Sequence, residues 1–312
     1  MKSVLSPLSN THNTIKIKTI TAQFLIRQYR RYFGIDIAHL LPDGVAEISL
    51  YQCLDTGYKF YDPLSVIGDS DFYHKLQIND WYYLANKWEF DESIKHFAGG
   101  NILEIGSGRG DFLKLVQNSD PRALLTGLEL NKDAARAATD RGLDVRVQSL
   151  GDHVQDRQAY YDAVVSFQLL EHIPSPRAYL LDALKALKVG GKLIIGVPDN
   201  SERAFPSILE LESNILNMPP HHQGLWDIPS LAHLTKFFPL YLNYLAVEPS
   251  TSSHHSNSYR GLMKADLKRR FGNLLGFAIY LIGRPYYDHA LHHVNKYLPA
   301  HSILGVYTKL AQ

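Results

Sequence analysis

The densest chemistry in the chain lies in Ile102–Phe112, ILEIGSGRGDF. An apolar run enters Gly106-Ser107-Gly108-Arg109-Gly110, and a helical pattern follows. Glycines permit a tight turn and close approach of a ligand to the backbone, and a helix start offers unpaired N–H groups. In open parallel sheets such turns bind nucleotides at the carboxyl ends of the strands. Spacing narrows the choice. A dinucleotide fingerprint is G-x-G-x-x-G, and counting from Gly106 puts Asp111 where the third glycine belongs. No Gly-Lys-Ser/Thr follows, so this is not a P-loop. Glu129 closes the next apolar run about twenty residues on, where a carboxylate accepts both hydroxyl hydrogens of a ribose. Ribose binding suits NAD and S-adenosylmethionine alike. The compact G-x-G-x-G turn, with Glu104 two residues before it, favours the second.

Histidine titrates nearest neutral pH, which makes it the first candidate for taking a proton from an acceptor hydroxyl. His172, in LLEHIP, directly follows the fourth apolar strand pattern, and His221 and His222, in MPPHHQGLW, sit on a proline-bounded loop after the fifth. His222, His221 and His172 are the candidate catalytic bases. His289, His292 and His293 stand at helical spacing, but no carboxylate-plus-histidine motif accompanies them. No metal is assigned.

The scaffold for these residues is legible from residue 101 onward. Asn101–Gly106, Leu124–Leu130, Asp144–Gln148, Asp162–Phe167 and Lys192–Pro198 read as five strands. Helical patterns at Asp111–Gln117 and Lys132–Arg141 lie between them. A third begins with Ser175 as cap and Pro176 in its first turn, and Gly190-Gly191 is expected to stop it. Strands alternating with helices indicate right-handed βαβ units, hence an α/β fold with a mainly parallel sheet covered on both faces. Tyr241–Glu248 and Ser302–Thr308 are two further strands. Residues 1–94 read as an N-terminal extension, and 95–312 as the catalytic domain with a helical insertion at about 249–301. Within the insertion, Phe271–Gly283 (FGNLLGFAIYLIG) is too short to span a bilayer and reads as a buried cap helix. A groove for an apolar or lipid-linked acceptor, or contact with a membrane surface, is the alternative.

Composition excludes several classes. The 312 residues, 45% apolar and 20% charged, are ordinary for a globular chain. A formal charge of +1 argues against a surface built for nucleic acid. Basic runs at 1–35 and 260–270 are solvated faces or a patch for an anionic substrate or membrane surface. Cys53, alone, makes no intramolecular disulfide and no multi-cysteine zinc site. No signal sequence or membrane span is visible, so cytoplasm is the expected compartment.

ILEIGSGRG, the acidic strand end GLELN, YDAVVSFQLLEHIPSP and LKVGGKLIIGVPD, in that order, resemble class I S-adenosylmethionine-dependent methyltransferases. The resemblance covers about 95–200 and reaches HSILGVYTK more weakly. It implies a Rossmann-like seven-stranded sheet, mostly parallel with the last strand antiparallel. It also implies that Gly106, Ser107, Gly108 and Gly110 pass beside the methionine moiety and that Glu104 organises the site near its amino group. Glu129 would hold the ribose, and Leu130 would flank the adenine. Ser149 and Leu150 fall where relatives carry an acid and an apolar neighbour at the adenine, with Asp152 a substitute for the missing acid. Gln168 would face the cofactor. YQCLDTGYKFYDP and DFYHKLQINDWYYLANKWEF resemble a segment preceding this core in bacterial methyltransferases of cell-surface sugar and secondary-metabolite pathways. It makes Tyr83 and Trp88 candidates for closing over the cofactor. The expected activity is methyl transfer from S-adenosylmethionine to a small-molecule acceptor, on a hydroxyl of a sugar or related metabolite. An NAD-dependent oxidoreductase and a non-catalytic S-adenosylmethionine-binding protein are the alternatives.

Overall fold

The computed structural model describes residues 4–78, 87–201, 215–249, 263–264, 267–268, 270–294 and 302–311. The first elements are β1 (Thr14–Thr21), α1 (Ala22–Phe33), β2 (Glu47–Cys53), β3 (Lys59–Asp62), α2 (Ser70–Gln77) and α3 (Trp88–Ser93). Thr21 caps α1 by accepting from Phe24 N, and Gly34, in the left-handed region at φ 69°, ends it. Ala22, Leu25 and Tyr29 form its buried face. Asp69 caps α2 in the same way, accepting from Phe72 N at 2.8 Å.

The main sheet follows, with β4 (Asn101–Ile105), α4 (Asp111–Ser119), β5 (Leu124–Leu128), α5 (Lys132–Thr139), β6 (Val145–Arg146), α6 (Leu150–His153), β7 (Tyr161–Phe167), α7 (Pro176–Ala186) and β8 (Leu187–Pro198). After them come β9 (Gly224–Leu225), α8 (Ile228–Ala232), β10 (Leu240–Val247), α9 (Asn273–Val294) and β11 (Ser302–Lys309). The seven strands run in the order β10-β11-β8-β7-β4-β5-β6. β8, β7, β4, β5 and β6 pair in parallel, and β11 is antiparallel to both β8 and β10. This is the Rossmann-like sheet, its last strand antiparallel, that the sequence motifs imply.

Both faces of the sheet are covered, so consecutive strand residues are both buried. Leu103, Val164 and Ile195 pack with Leu180 and Leu184 of α7, whereas Ile102, Val165 and Ile194 pack with Phe112, Val116 and Ala138. From β4 the chain moves outward to β5 and β6, then returns to β7 on β4's other side. That reversal opens a crevice at the carboxyl ends of β4 and β7.

A second, four-stranded sheet runs β1-β2-β3-β9. Its fourth strand comes from the chain between β8 and β10, with Phe60 opposite Gly224 and Lys59 opposite Leu225. Ile215, Met218 and Leu225 join the core formed by α1, β2 and α2. The N-terminal segment is thereby tied to the loop that carries His221 and His222.

Three local expectations differ from the structure. α7 ends at Ala186, and Gly190-Gly191 lie within β8, because Tyr161 pairs with Leu187 and draws that residue into the sheet. Ser175 occupies the cap position of α7 without a side-chain capping bond. The Phe271–Gly283 run is not a buried cap: Leu274 is 90% and Ile282 77% exposed, and α9 extends to Val294. No helix among the described residues is long and apolar enough to cross a membrane.

Candidate active site

A cleft of about 1920 Å³ follows the carboxyl ends of β4, β5 and β7 and continues beneath α2 to the loop before β9. A pocket of ~300–1,000 Å³ encloses one drug-sized ligand, so this space accommodates a nucleoside cofactor and an acceptor side by side.

The cofactor end is built by the turn after β4. Gly106, Gly108 and Gly110 have φ of 73°, 51° and 76°, all in the left-handed region where a β-carbon is costly. Gly106 N and Ser107 N donate to Leu128 O of β5 at 2.8 and 3.0 Å, which fastens the turn to the neighbouring strand. Glu129 sits at the tip of β5. Its Oε2 accepts from Gly108 N at 2.8 Å and its Oε1 from Asn131 N at 2.8 Å. Each carboxylate oxygen keeps a lone pair for a further donor.

Glu104 is buried one layer below, 3% exposed, and its Oε2 has no hydrogen-bond partner. Burial pushes its carboxyl well above the usual range, against the pull of Lys87. Ser107 Oγ is likewise buried without a partner. A buried acid and a hydroxyl awaiting partners beside a glycine turn fit the charged amino-acid end of S-adenosylmethionine.

The adenine side is less uniform. Leu130, 70% exposed, and Leu150, which is buried, both line the cleft. Ser149 also lines the cleft, but its hydroxyl caps α6 by accepting from Asp152 N and donates to Asp152 Oδ2 at 2.6 Å. Gln168, at φ 52°, directs its side-chain amide to Glu89 Oε1 at 2.7 Å, and its backbone N–H donates to Gly196 O. Trp88 lines the cleft, and Tyr83 lies outside the described residues.

At the acceptor end His172, His221 and His222 meet. The His221 and His222 rings stack at 4.5 Å, and the His172 ring stands edge-on to both at 4.6 and 4.7 Å. His172 Nδ1 donates to His221 O at 2.6 Å, His221 Nδ1 to Leu216 O at 3.0 Å, and His222 Nδ1 to Asn217 Oδ1 at 2.9 Å. Oxygen acceptors at every Nδ1 place the proton there and leave the Nε2 lone pair on each ring. Burial lowers His172 to about 4 and His221 well below its usual value, so both are neutral near pH 7. The loop is held rigidly. Gln223 N donates to Glu171 O, Tyr61 N to Gln223 O, and Tyr29 Oη to Met218 O. Tyr73 of α2 covers the cluster, its ring 6.0 Å from His172.

Sequence reasoning missed Glu89, Glu171 and Asn217. Glu171 is 1% exposed, beside His172, and burial raises its carboxyl to about 8. The Glu-His pair in LLEHIP was the available signal. Glu89 and Asn217 carry none, since their positions follow from packing.

Residues 89–241 match the family described as a methyltransferase domain. Curated relatives include a ubiquinone biosynthesis O-methyltransferase of Xanthomonas oryzae pv. oryzae, 26% identical over 179 residues that span 48% of this chain and 73% of that protein. The protein of the same name from Hydrogenovibrio crunogenus is 24% identical over 168 residues, spanning 46% of this chain and 69% of its own. Among solved structures, a SAM-dependent methyltransferase from Archaeoglobus fulgidus covers 76% of this chain at 13% identity with a TM-score of 0.49. The strand order, and not that superposition, carries the fold. Strand order, glycine turn and family match together make residues 89–241 a methyltransferase domain. The protein is a methyltransferase that uses S-adenosylmethionine.

Proposed function

We propose that the enzyme methylates a hydroxyl oxygen of a small, polyhydroxylated metabolite such as a sugar. The observation that carries this reading is the meeting of three imidazoles, one nitrogen of each within 4.8 Å of the others, in the cleft that also holds the cofactor turn. The curated relatives, named as O-methyltransferases, support oxygen as the acceptor atom. Asp69, Asp71, His74 and Asn217 around the same end give a polar lining suited to a molecule with several hydroxyls.

S-adenosylmethionine supplies an activated methyl group on a sulfonium, and the protein's part is orientation, exclusion of water and removal of one proton. The glycine turn and Glu129 fix the nucleoside, and Glu104 receives the ammonium. His222 Nε2 is the first candidate to accept the acceptor's hydroxyl proton, with Asn217 holding the opposite ring nitrogen. His221 and His172 are the alternatives. Tyr73 and the loop before β9 close the space around them.

The test is turnover of a panel of hydroxylated metabolites by wild type and His222→Ala. A general base contributes roughly 10²–10⁴-fold, so turnover should fall by about a hundredfold or more with cofactor affinity nearly unchanged. Undiminished turnover in His222→Ala and in the His221/His222 double alanine variant would reject the base assignment. Methylation confined to amine or carbon acceptors would reject oxygen.

A further inference from the structure

The three histidines also satisfy the requirements of a metal site. We infer that His172, His221 and His222 bind a divalent transition-metal cation, such as Zn²⁺, through their Nε2 atoms at the acceptor end of the cleft. One ligand nitrogen from each lies within 4.8 Å of the others. Zinc–nitrogen bonds of about 2.0–2.1 Å place tetrahedral ligands about 3.4 Å apart, so the rings need to draw together by on the order of 1 Å. His221 and His222 lie 17° from parallel, so one of these rings also has to turn about its side-chain torsions for both lone pairs to face the cation.

The second shell is already in place. Ligating histidines donate their other ring N–H to a carbonyl or carboxylate, which sets the tautomer and aims the lone pair. Here all three do so, to His221 O, Leu216 O and Asn217 Oδ1. Imidazole-rich sets suit zinc, copper, iron and nickel, not magnesium or calcium. A dication among neutral rings also needs a counter-charge nearby. Glu171, 1% exposed, has Oε1 3.9 Å from His172 Nε2, and its Oε2 lacks a hydrogen-bond partner. Three protein ligands leave a fourth position open toward the cleft, the arrangement of zinc sites that bind water or substrate oxygen. In the loaded enzyme that position would hold an acceptor oxygen, while the metal takes the His222 lone pair and removes that ring as a base, so the two roles belong to metal-loaded and metal-free states of the site. The inference that a cation binds rests on the side-chain geometry alone, and only its role toward the acceptor rests on the methyl-transfer reading.

The sequence assigns no metal because His172 stands 49 residues before His221. Only the adjacency of the chain ends of β7 and β8 joins them.

Metal-free protein titrated with Zn²⁺, and separately with Co²⁺, tests the inference by calorimetry and by the visible absorption of bound cobalt. One equivalent should bind the wild type, with cobalt bands of tetrahedral intensity. His172→Ala, His221→Ala and His222→Ala should each weaken binding by at least tenfold, and Asn217→Ala by roughly 10–100-fold through loss of ring orientation. A His289/His293 double alanine variant should bind as the wild type does. Thermal unfolding without metal checks that each variant folds, and His222→Gln serves where alanine does not. Stoichiometry and affinity unaltered in folded His172 and His222 variants, or no binding to the wild type, would overturn the metal site. Neither outcome touches S-adenosylmethionine binding at the glycine turn, which titration with S-adenosylhomocysteine reads separately.

Discussion

Replacing Glu129 by alanine removes a carboxylate that does two things at once. It accepts backbone N–H bonds from Gly108 and Asn131, both at 2.8 Å, and it keeps one lone pair on each oxygen for the ribose hydroxyls. A hydrogen bond to a charged group contributes about 1.5–3 kcal/mol, and 1.4 kcal/mol is a factor of about ten. Losing a single ribose bond therefore weakens binding by about 10- to 150-fold. Losing both costs less than the product, since they share one side chain. The Gly108 and Asn131 N–H groups lie near the cleft and regain water, so the fold should persist. Calorimetric titration with S-adenosylhomocysteine measures the loss without turnover, and circular dichroism checks folding. Glu129→Gln sharpens the test. Its amide keeps one acceptor oxygen but sets an NH₂ group against the other backbone N–H, so it should bind nearly as weakly as the alanine variant. A folded Glu129→Ala protein with wild-type affinity would refute the ribose assignment.

Gly108→Val forces a β-branched residue to φ 51° in the wall that the ligand approaches, so S-adenosylhomocysteine binding should vanish in calorimetry while the far-ultraviolet spectrum is kept. Glu104 carries a stability cost with a defined sign. Its raised pKa means that its contribution is complete below the ordinary 4.5 and is lost as pH rises toward the folded value. Glu104→Gln should therefore melt above the wild type at about pH 8, with the gap closing toward acid pH, and should bind the cofactor more weakly; a pH-independent gap would contradict this. Asn131→Ala cuts the 2.6 Å bond to Gln77 and loosens α2 over the cleft, so the Michaelis constant for the acceptor should rise more than turnover falls in steady-state kinetics.

Much of the catalytic domain was legible because its strands are short apolar runs ended by glycine or acid. Asn101–Ile105 and Tyr161–Phe167 lie within a residue of the expected limits. β6 shrank to Val145–Arg146 because edge position leaves it one partner strand. The four-stranded sheet was not read at all. Its alternation in β1 is plain, TIKIKTIT, but β9 is two residues long and pairs with a strand far away in sequence. Pairing of that kind leaves no local periodicity to detect. The exposed apolar face of α9 was misjudged for a related reason: hydrophobicity predicts a wish for cover, not its presence. Glu104, Gly106, Gly108 and Glu129 could be grouped from sequence because a strand-turn-helix junction is local, and they line one cleft. The histidine cluster was found in part, since each loop was placed at the rim without knowing that the rings touch.

The most direct measurement supplies trideuteromethyl S-adenosylmethionine to the enzyme with fractionated small-molecule extract and follows the label by mass spectrometry. The expected result is a labelled product whose fragments place the deuterated methyl on oxygen, absent with Gly108→Val and strongly reduced with His222→Ala. Label that appears on nitrogen or carbon would contradict the acceptor assignment. No transferred label under conditions where the protein binds NADH and not S-adenosylhomocysteine would contradict methyl transfer itself.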